Sequence, residues 1–320
     1  MTVTFSYRKP GGMEARIICG DLAGLRNQAL GLVEAAGLAP DVRTVSWRGL
    51  AAGFPPLGMA APLHFVGREV VAGPLPKVVV ACGGQGSRVA AALRGPAVRA
   101  VAVQDPRMDL NKFDLVFAAR HDGIAGNNVF VTRTALHRAT PARLAGEAMV
   151  WAPAFARVQR PLVAVLLGGS NGRYRFGVAE ARDLAGKLAA LMRQGAGVAI
   201  TPSRRTSKPV VQVFKEVLGP LGAWIWAGGN PNPYFGMLGL ADAVVVTADS
   251  VSMVSEAVAT SVPVFLVRLP GKSARIGAFM DMMAADGRVR DFAGKLDMWD
   301  SAPMDDTPAA GAALRSLLGL

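Results

Sequence analysis

The sequence predicts an α/β protein of two Rossmann-like domains facing a cleft, each built on a parallel sheet covered by helices. Three observations carry that prediction. Short β-rich runs (ARIICG, VRTVSW, PKVVVA, VRAVAVQ, FDLVFAA, NNVFVT) alternate with Ala/Leu-rich helical segments such as AGLRNQALGLVEAAG and SRVAAALRG. The alternation restarts at Pro161 with PLVAVLLGG, GVAITPS, AWIWAG, ADAVVVTA and PVFLVRL. The strand-like runs are also too continuously apolar to leave one face wet, which is the mark of a parallel sheet buried on both sides. A chain of 320 residues has room for two such domains.

The joint is expected near EAMVWAPAFARVQR, Glu147 to Arg160, giving an amino-terminal domain over residues 1–150 and a carboxy-terminal domain over 151–320. The tail DTPAAGAALRSLLGL starts on Asp and Thr and continues amphipathically, so it reads as a helix closing the second domain. The start, MTVTFSYRKPGGMEARIICG, lacks the continuous apolar core of a signal peptide, and its first dozen residues read as a loose lead-in. Gly49 to Gly67, uncharged between Arg48 and Arg68, is interrupted by Pro55, Pro56 and Pro62 and is not expected to span a bilayer.

The chain is 51% hydrophobic and 18% charged, which excludes disorder and supports sizeable cores. Cys19 and Cys82 alone make neither a disulfide framework nor a zinc site, and a cytoplasmic setting follows. A net charge of +12 favours phosphate-bearing partners, although a general arginine bias would also produce it. With no long basic run, a nucleic-acid partner is not expected.

In open parallel sheets ligands sit beyond the carboxyl ends of the strands. Gly168, Gly169, Ser170, Asn171 and Gly172 follow PLVAVLL, where glycines admit a ligand to the backbone or simply make a turn. Ser203, Arg204, Arg205 and Thr206 follow GVAITP, as a phosphate clamp or a solvated loop. Thr247, Asp249, Ser250 and Ser252 crowd a helix start, where Asp249 or Ser250 could serve only as its cap. Glu256 lies further along that helix, placed to accept both hydroxyls of a ribose whose phosphates rest on the helix start. In the first half, GDLAGL offers Asp21, and ARHDG offers His121 beside Asp122, each a candidate general base. No complete GxGxxG or Walker motif, HExxH, GxSxG or carboxylate pair at a strand end is present, so no metal is expected.

GGSNG together with SVSMVSEAVATSVPVFLV resembles the carboxy half of GT-B glycosyltransferases such as the peptidoglycan enzyme acting on lipid I. The resemblance implies that Ser170 and Asn171 contact a sugar-nucleotide donor, that Ser252 and Met253 line its diphosphate, and that Glu256 holds its ribose. The amino half lacks the GTGGH-type loop of that enzyme. Over most of the chain, the ordered blocks GDLAGLRNQALGL, VQDPR, FDLVFAARHDG, TPSRRT, NPNPYFGMLGLADAVVVTADSVSMVSEA and GKSAR resemble the mitochondrial-fission, elongated-mitochondria family, read as GT-B glycosyltransferases.

What the resemblance implies is a metal-independent glycosyltransferase without a bound cofactor. It would move a sugar from a UDP-linked donor to a cell-envelope lipid or polysaccharide acceptor, with His121 or Asp21 as base and Arg204 or Arg205 neutralising the departing diphosphate. Two other readings stay open: a non-catalytic membrane-associated scaffold that keeps the nucleotide fold, and a sugar-nucleotide epimerase. Trp47, Phe54, Leu57, Met59, Leu63 and Phe65 between arginines suggest either a contact with an anionic membrane surface on the cytoplasmic side or a connection packed on its own domain.

Overall fold

The computed structural model describes residues 13–320, so the amino-terminal lead-in lies outside the described residues. These residues form two compact units, 13–138 with 306–320, and 139–305.

The first unit runs β1 (Glu14–Cys19), α1 (Ala23–Ala35), β2 (Ala39–Thr44), four short helices α2 (Leu50–Gly53), α3 (Pro55–Ala60), α4 (Pro62–Phe65) and α5 (Arg68–Val71), then β3 (Val78–Cys82), α6 (Gly84–Leu93), β4 (Arg99–Val103), β5 (Leu115–Ala119) and β6 (Val129–Thr132). The strands make a six-stranded parallel sheet in the order β2-β1-β3-β4-β5-β6. Its residues alternate between two cores. Ala15, Ile17, Val78 and Val80 join one face, while Ile18, Val79 and Ala81 join the other. Each fully buried aliphatic side chain contributes roughly 1.5–3 kcal/mol, which is why the runs have no polar phase.

The second unit holds α7 (Pro141–Phe155), β7 (Leu162–Leu167), α8 (Val178–Arg193), β8 (Gly197–Pro202), α9 (Lys208–Leu218), β9 (Trp224–Ile225), α10 (Tyr234–Leu240), β10 (Ala243–Thr247), α11 (Val251–Val258), β11 (Val264–Val267), α12 (Ala274–Ala285) and β12 (Val289–Asp291). Its sheet is again six-stranded and parallel, ordered β12-β11-β10-β7-β8-β9. Leu162, Ala164, Leu166, Val244 and Val246 face one core; Val163, Val165, Leu167, Ala243 and Val245 face the other.

The closing helix, α13 (Thr307–Leu317), corrects the expected domain bounds. It belongs to the first unit, where Ala310 and Leu314 enter the core beside α1 and Gly311 lies against Ala35. Arg133 fixes its start, the guanidinium and backbone N–H both reaching the Asp306 carboxylate. The joint also falls earlier, between Arg138 and Ala139 rather than at residue 150. Thr140 caps α7 by accepting from Arg143 N at 3.2 Å, and the helix packs on α10, with Gly236 against the Trp151 ring and Gly239 against the Leu144 carbonyl. The stretch read as a link is therefore mostly helix α7, which packs on α10 within the second unit. Among the described residues no helix is long and apolar enough to cross a membrane.

Candidate functional site

In the second sheet β7 and β10 are neighbours, yet the chain leaves β7 towards β8 on one side and β10 towards β11 on the other. Divergence at such a switch point opens a crevice beyond the strand ends. Here the three loops around it are fastened to one buried carboxylate. Asp249, its side chain fully shielded, accepts from the Thr247 hydroxyl at 2.7 Å and from Gly169 N at 3.3 Å, and pairs with the Arg205 guanidinium at 2.8 Å. Arg205 also donates to the Gly169 carbonyl at 3.1 Å, and Thr247 Oγ1 accepts from Gly168 N at 2.8 Å. A Cβ on Gly168 would collide with the Asp249 carboxylate and one on Gly169 with the Arg205 carbonyl, so both positions require glycine. A charge taken fully out of water persists only when paired and hydrogen-bonded. Asp249 meets that condition through groups from three loops.

Several residues read as ligand contacts also have partners within the protein. Arg205 is tied to Asp249 and to the Gly169 carbonyl although its side chain stays 39% exposed, and Arg204 beside it is exposed as well. Ser203 and Thr206 close their own turn: Thr206 Oγ1 accepts from Ser203 N at 2.9 Å and donates to the Leu167 carbonyl at 3.1 Å, and Ser203 Oγ accepts from Arg205 N at 3.2 Å. The Ser170 hydroxyl holds Phe176, accepting from its N–H at 2.9 Å. Asn171 Oδ1 accepts from the N–H groups of Arg173 and Tyr174 at 2.9 and 3.0 Å. The same loop is laced to the one after β11, with Arg175 N donating to the Pro270 carbonyl at 2.8 Å and Lys272 N to the Arg173 carbonyl at 3.1 Å.

Two helix starts follow adjacent strands. Ser250 caps α11 by accepting from Met253 N at 3.4 Å, and Ser273, in the GKSAR block, caps α12 by accepting from Ile276 N at 3.4 Å. First-turn N–H groups have no intrahelical acceptor and carry the positive end of the helix dipole, which suits an anion. Ser252 and Met253 lie in that first turn of α11 and are half-buried.

Glu256 is buried, only 4% exposed, within α11. Its carboxylate accepts from the Tyr234 hydroxyl at 2.5 Å. Tyr234 opens α10, its N–H received by Asn232 Oδ1 at 3.0 Å. Burial, and then the adjacent Glu256 carboxylate, hold the Tyr234 phenol well above its ordinary titration range. Tyr234 was missed as a site residue. The signal lay in the NPNPYFG block, which marks a turn followed by a helix but gives no hint that its tyrosine meets a glutamate 22 positions away.

The candidate bases of the first unit are not brought together. Asp21 is exposed beyond β1, 3.4 Å from Arg26, and lines a depression of about 660 Å³ with Gly20, Thr44, Ser46, Gly83 and Gln85. His121 follows β5, with β3 and β4 between it and Asp21, so about 14 Å of sheet separates the two loops at a strand spacing of about 4.8 Å. Its side chain is 2% exposed and lies 3.8 Å from the Asp122 carboxylate, which itself accepts from Ala119 N at 3.2 Å. A base must reach the proton it removes, and the His121 side chain leaves little of its surface open for that. The VQDPR loop carries a feature invisible in the sequence. Gln104 (φ 71) and Arg107 (φ 53) both adopt left-handed backbone, uncommon for residues with side chains, and Gln104 donates to buried Gln28 at 3.0 Å. Among the described residues no three His, Cys, Asp or Glu side chains cluster as a metal centre would require.

Residues 23–318 match the sequence model of a family described as mitochondrial fission ELM1. The Arabidopsis thaliana mitochondrial fission protein ELM1 is 34% identical over 270 residues, covering 75% of this chain and 63% of its own length, so the chain spans less than two thirds of that relative. Among solved structures, the UDP-GlcNAc 2-epimerase of Methanocaldococcus jannaschii in complex with UDP-GlcNAc and UDP is similar at a TM-score of 0.59, with 14% identity, 96% of this chain and 100% of that chain covered. The Neisseria meningitidis UDP-GlcNAc 2-epimerase bound to UDP-GlcNAc gives 0.55 at 12% identity with the same coverage. The glycotransferase of kitacinnamycin gives 0.52 at 12% identity, covering 97% and 96%. At such identities the likeness is one of fold: two Rossmann-like domains of GT-B type.

Proposed function

The chain belongs to the mitochondrial fission ELM1 family, and from that premise we propose that it is a metal-independent GT-B glycosyltransferase taking a UDP-linked sugar as donor and a cell-envelope lipid or polysaccharide as acceptor. The observation that supports this reading best is the Asp249–Arg205 lock at the β7/β10 switch point, which holds a glycine loop and a capped helix start in fixed register. A nucleoside diphosphate suits that chemistry. The backbone N–H groups of Ser170 and Ser252 would receive the diphosphate, Asn171 and Met253 would line it while their own N–H groups stay with the Tyr174 carbonyl and the Ser250 hydroxyl, and exposed Arg204 would neutralise it as the glycosidic bond breaks. Glu256 would accept the ribose hydroxyls, with Tyr234 sharing or yielding its place on the carboxylate. Charge on the leaving diphosphate would thus be met by fixed dipoles and guanidinium rather than by a metal ion.

In this reading the first unit takes the acceptor, and Asp21, in its depression, removes the proton of the attacking hydroxyl. The protein would work at the cytoplasmic face of a membrane, where lipid-linked acceptors are displayed. A second reading, a nucleotide-binding scaffold without turnover, is favoured by one observation: Glu256 already has a partner in Tyr234. The discriminating experiment supplies UDP-sugars with and without an envelope lipid extract and follows released UDP. Acceptor-dependent release supports the transferase. Release with an altered free sugar and no acceptor would indicate an epimerase, and binding without release the scaffold.

A further inference from the structure

Between β2 and β3 the first unit sends out residues 48–65 and takes them back through one neck. Trp47 pairs with Val66 as an antiparallel bridge, and Arg48 N donates to the Phe65 carbonyl at 2.8 Å. Three prolines break the excursion into the short helices α2, α3 and α4. Its inner side is thin. Ala51 is buried, and the Trp47 ring lies against Gly58 so closely that a Cβ there would collide with it. Of the six residues for which a membrane contact and a packed connection both stayed open, Trp47, 7% exposed, and Phe65, packed on the core, belong to the connection.

The outer side is apolar. Leu50 is 78% exposed, Phe54 59%, Met59 46%, Leu63 43% and Leu57 36%. Single exposed apolar side chains are ordinary, but five on one closed excursion mark a surface that something covers. Charge identifies the occupant. From Arg48 to Arg68 there is no Asp or Glu, while Arg48, His64 and Arg68 border the apolar residues. Glu69, beyond the neck, pairs with Arg48 and leaves Arg68 as the cation of the rim. A second copy of this chain carries the same net +12, and repulsion between the two chains opposes self-association. Helices of four to six residues are also too brief to form a helix-in-groove pairing. Bulky apolar tips beside an exposed arginine on a closed excursion suit the boundary between phosphate headgroups and acyl chains.

We propose that this excursion docks the first unit on an anionic lipid bilayer, with Leu50, Phe54, Met59 and Leu63 entering the headgroup–acyl boundary and Arg68 meeting lipid phosphates. Thr44, Val45 and Ser46, which line the depression beside Asp21, run directly into Trp47 at the neck. A headgroup carried by the bilayer would therefore be presented next to that depression. The docking does not depend on the nucleotide reading, because it is measured without nucleotide.

The test is co-sedimentation of the whole chain with phosphatidylcholine vesicles, with and without phosphatidylglycerol, beside a Leu50→Ser/Phe54→Ser/Leu63→Ser variant and Arg68→Glu. All four positions are exposed, so the fold is expected to survive, checked by thermal melting. Wild type is expected to partition onto the phosphatidylglycerol vesicles, the triple variant to lose roughly tenfold or more, and Arg68→Glu a smaller factor. A fluorophore on Phe54→Cys, feasible because Cys19 and Cys82 are buried, is expected to shift to the blue only with those vesicles. No binding at low salt, equal binding by the triple variant, or equal binding to both vesicle types would overturn the proposal. So would a dimer seen by sedimentation and abolished by the same three substitutions, which would make a second copy the occupant.

Discussion

The two sheets share a switch-point topology but finish it in opposite ways. At β7/β10 a shielded carboxylate ties three loops, and the helices beyond β10 and β11 are capped by serine. At β1/β3 the helices start without side-chain caps, on Leu22 and on Gly83, around an open depression whose carboxylate, Asp21, is exposed. Fixed dipoles bind a defined polar group without reorganising, whereas an open, weakly fastened edge suits a broader partner. The difference supports the proposed division, donor nucleotide in the second unit and a lipid-displayed acceptor in the first.

Four substitutions break or sharpen this contrast. The largest effect is expected from Asp249→Ala, which leaves Arg205, Thr247 and Gly169 N without their shared acceptor. Unfolding of the second unit should become easier by about 3 kcal/mol, measured by denaturant titration, with the first unit unaffected. An equal loss in both units would remove the idea that the lock is local. Next comes Gly86→Ala in the first unit, whose Cβ would run into the Ile18 carbonyl and cost about 1–3 kcal/mol. That result would show that the floor at β1/β3 is tightly packed even though its rim is open.

Tyr234→Phe removes the phenol from Glu256 and should cost about 1.5 kcal/mol. It also has a pH signature. The folded state holds the Tyr234 phenol above its ordinary value of 10.0, so the stability linked to its neutral form is fully present below that pH and is lost as pH rises above it. Wild type should weaken in alkali more steeply than Tyr234→Phe, and parallel curves would deny the coupling. The smallest effect belongs to Gly84→Ala, at the first position of α6, where a Cβ would meet nothing within 4 Å. A gain of about 0.5 kcal/mol is expected from reduced freedom of the unfolded chain. A loss would mean that the unfolded-chain entropy is not what decides this position.

Much of this fold could be read from the chain itself, because a strand buried on both faces leaves no polar phase and Val78 to Cys82 or Val163 to Leu167 can be little else. Helix α13 shows where that stops. Its amphipathic stripe announces that it docks but not on which core, and the deciding contacts, Arg133 to Asp306 and Gly311 to Ala35, lie far apart in sequence. The site divides in the same way. Ser250 as a cap follows from local rules, and the structure bears it out; the two glycines after β7 are visible as a turn, but what forbids a Cβ there, Asp249 and Arg205, lies elsewhere in the chain. Arg205 looked like a ligand group because its acceptor, Asp249, lies 44 residues later, across a neighbouring strand. That the His121 side chain beside Asp122 is shielded at a 3-10 turn leaves no trace in composition.

The central claim is that the β7/β10 switch point holds a nucleoside diphosphate, and calorimetric titration of UDP, GDP, ADP and CMP into wild type and Glu256→Ala tests it most directly. The account predicts that UDP binds in preference to the others and that the variant loses about tenfold in affinity, the equivalent of one hydrogen bond to a charged group. Heat from none of the four nucleotides, or equal UDP affinity in the two proteins, would contradict it.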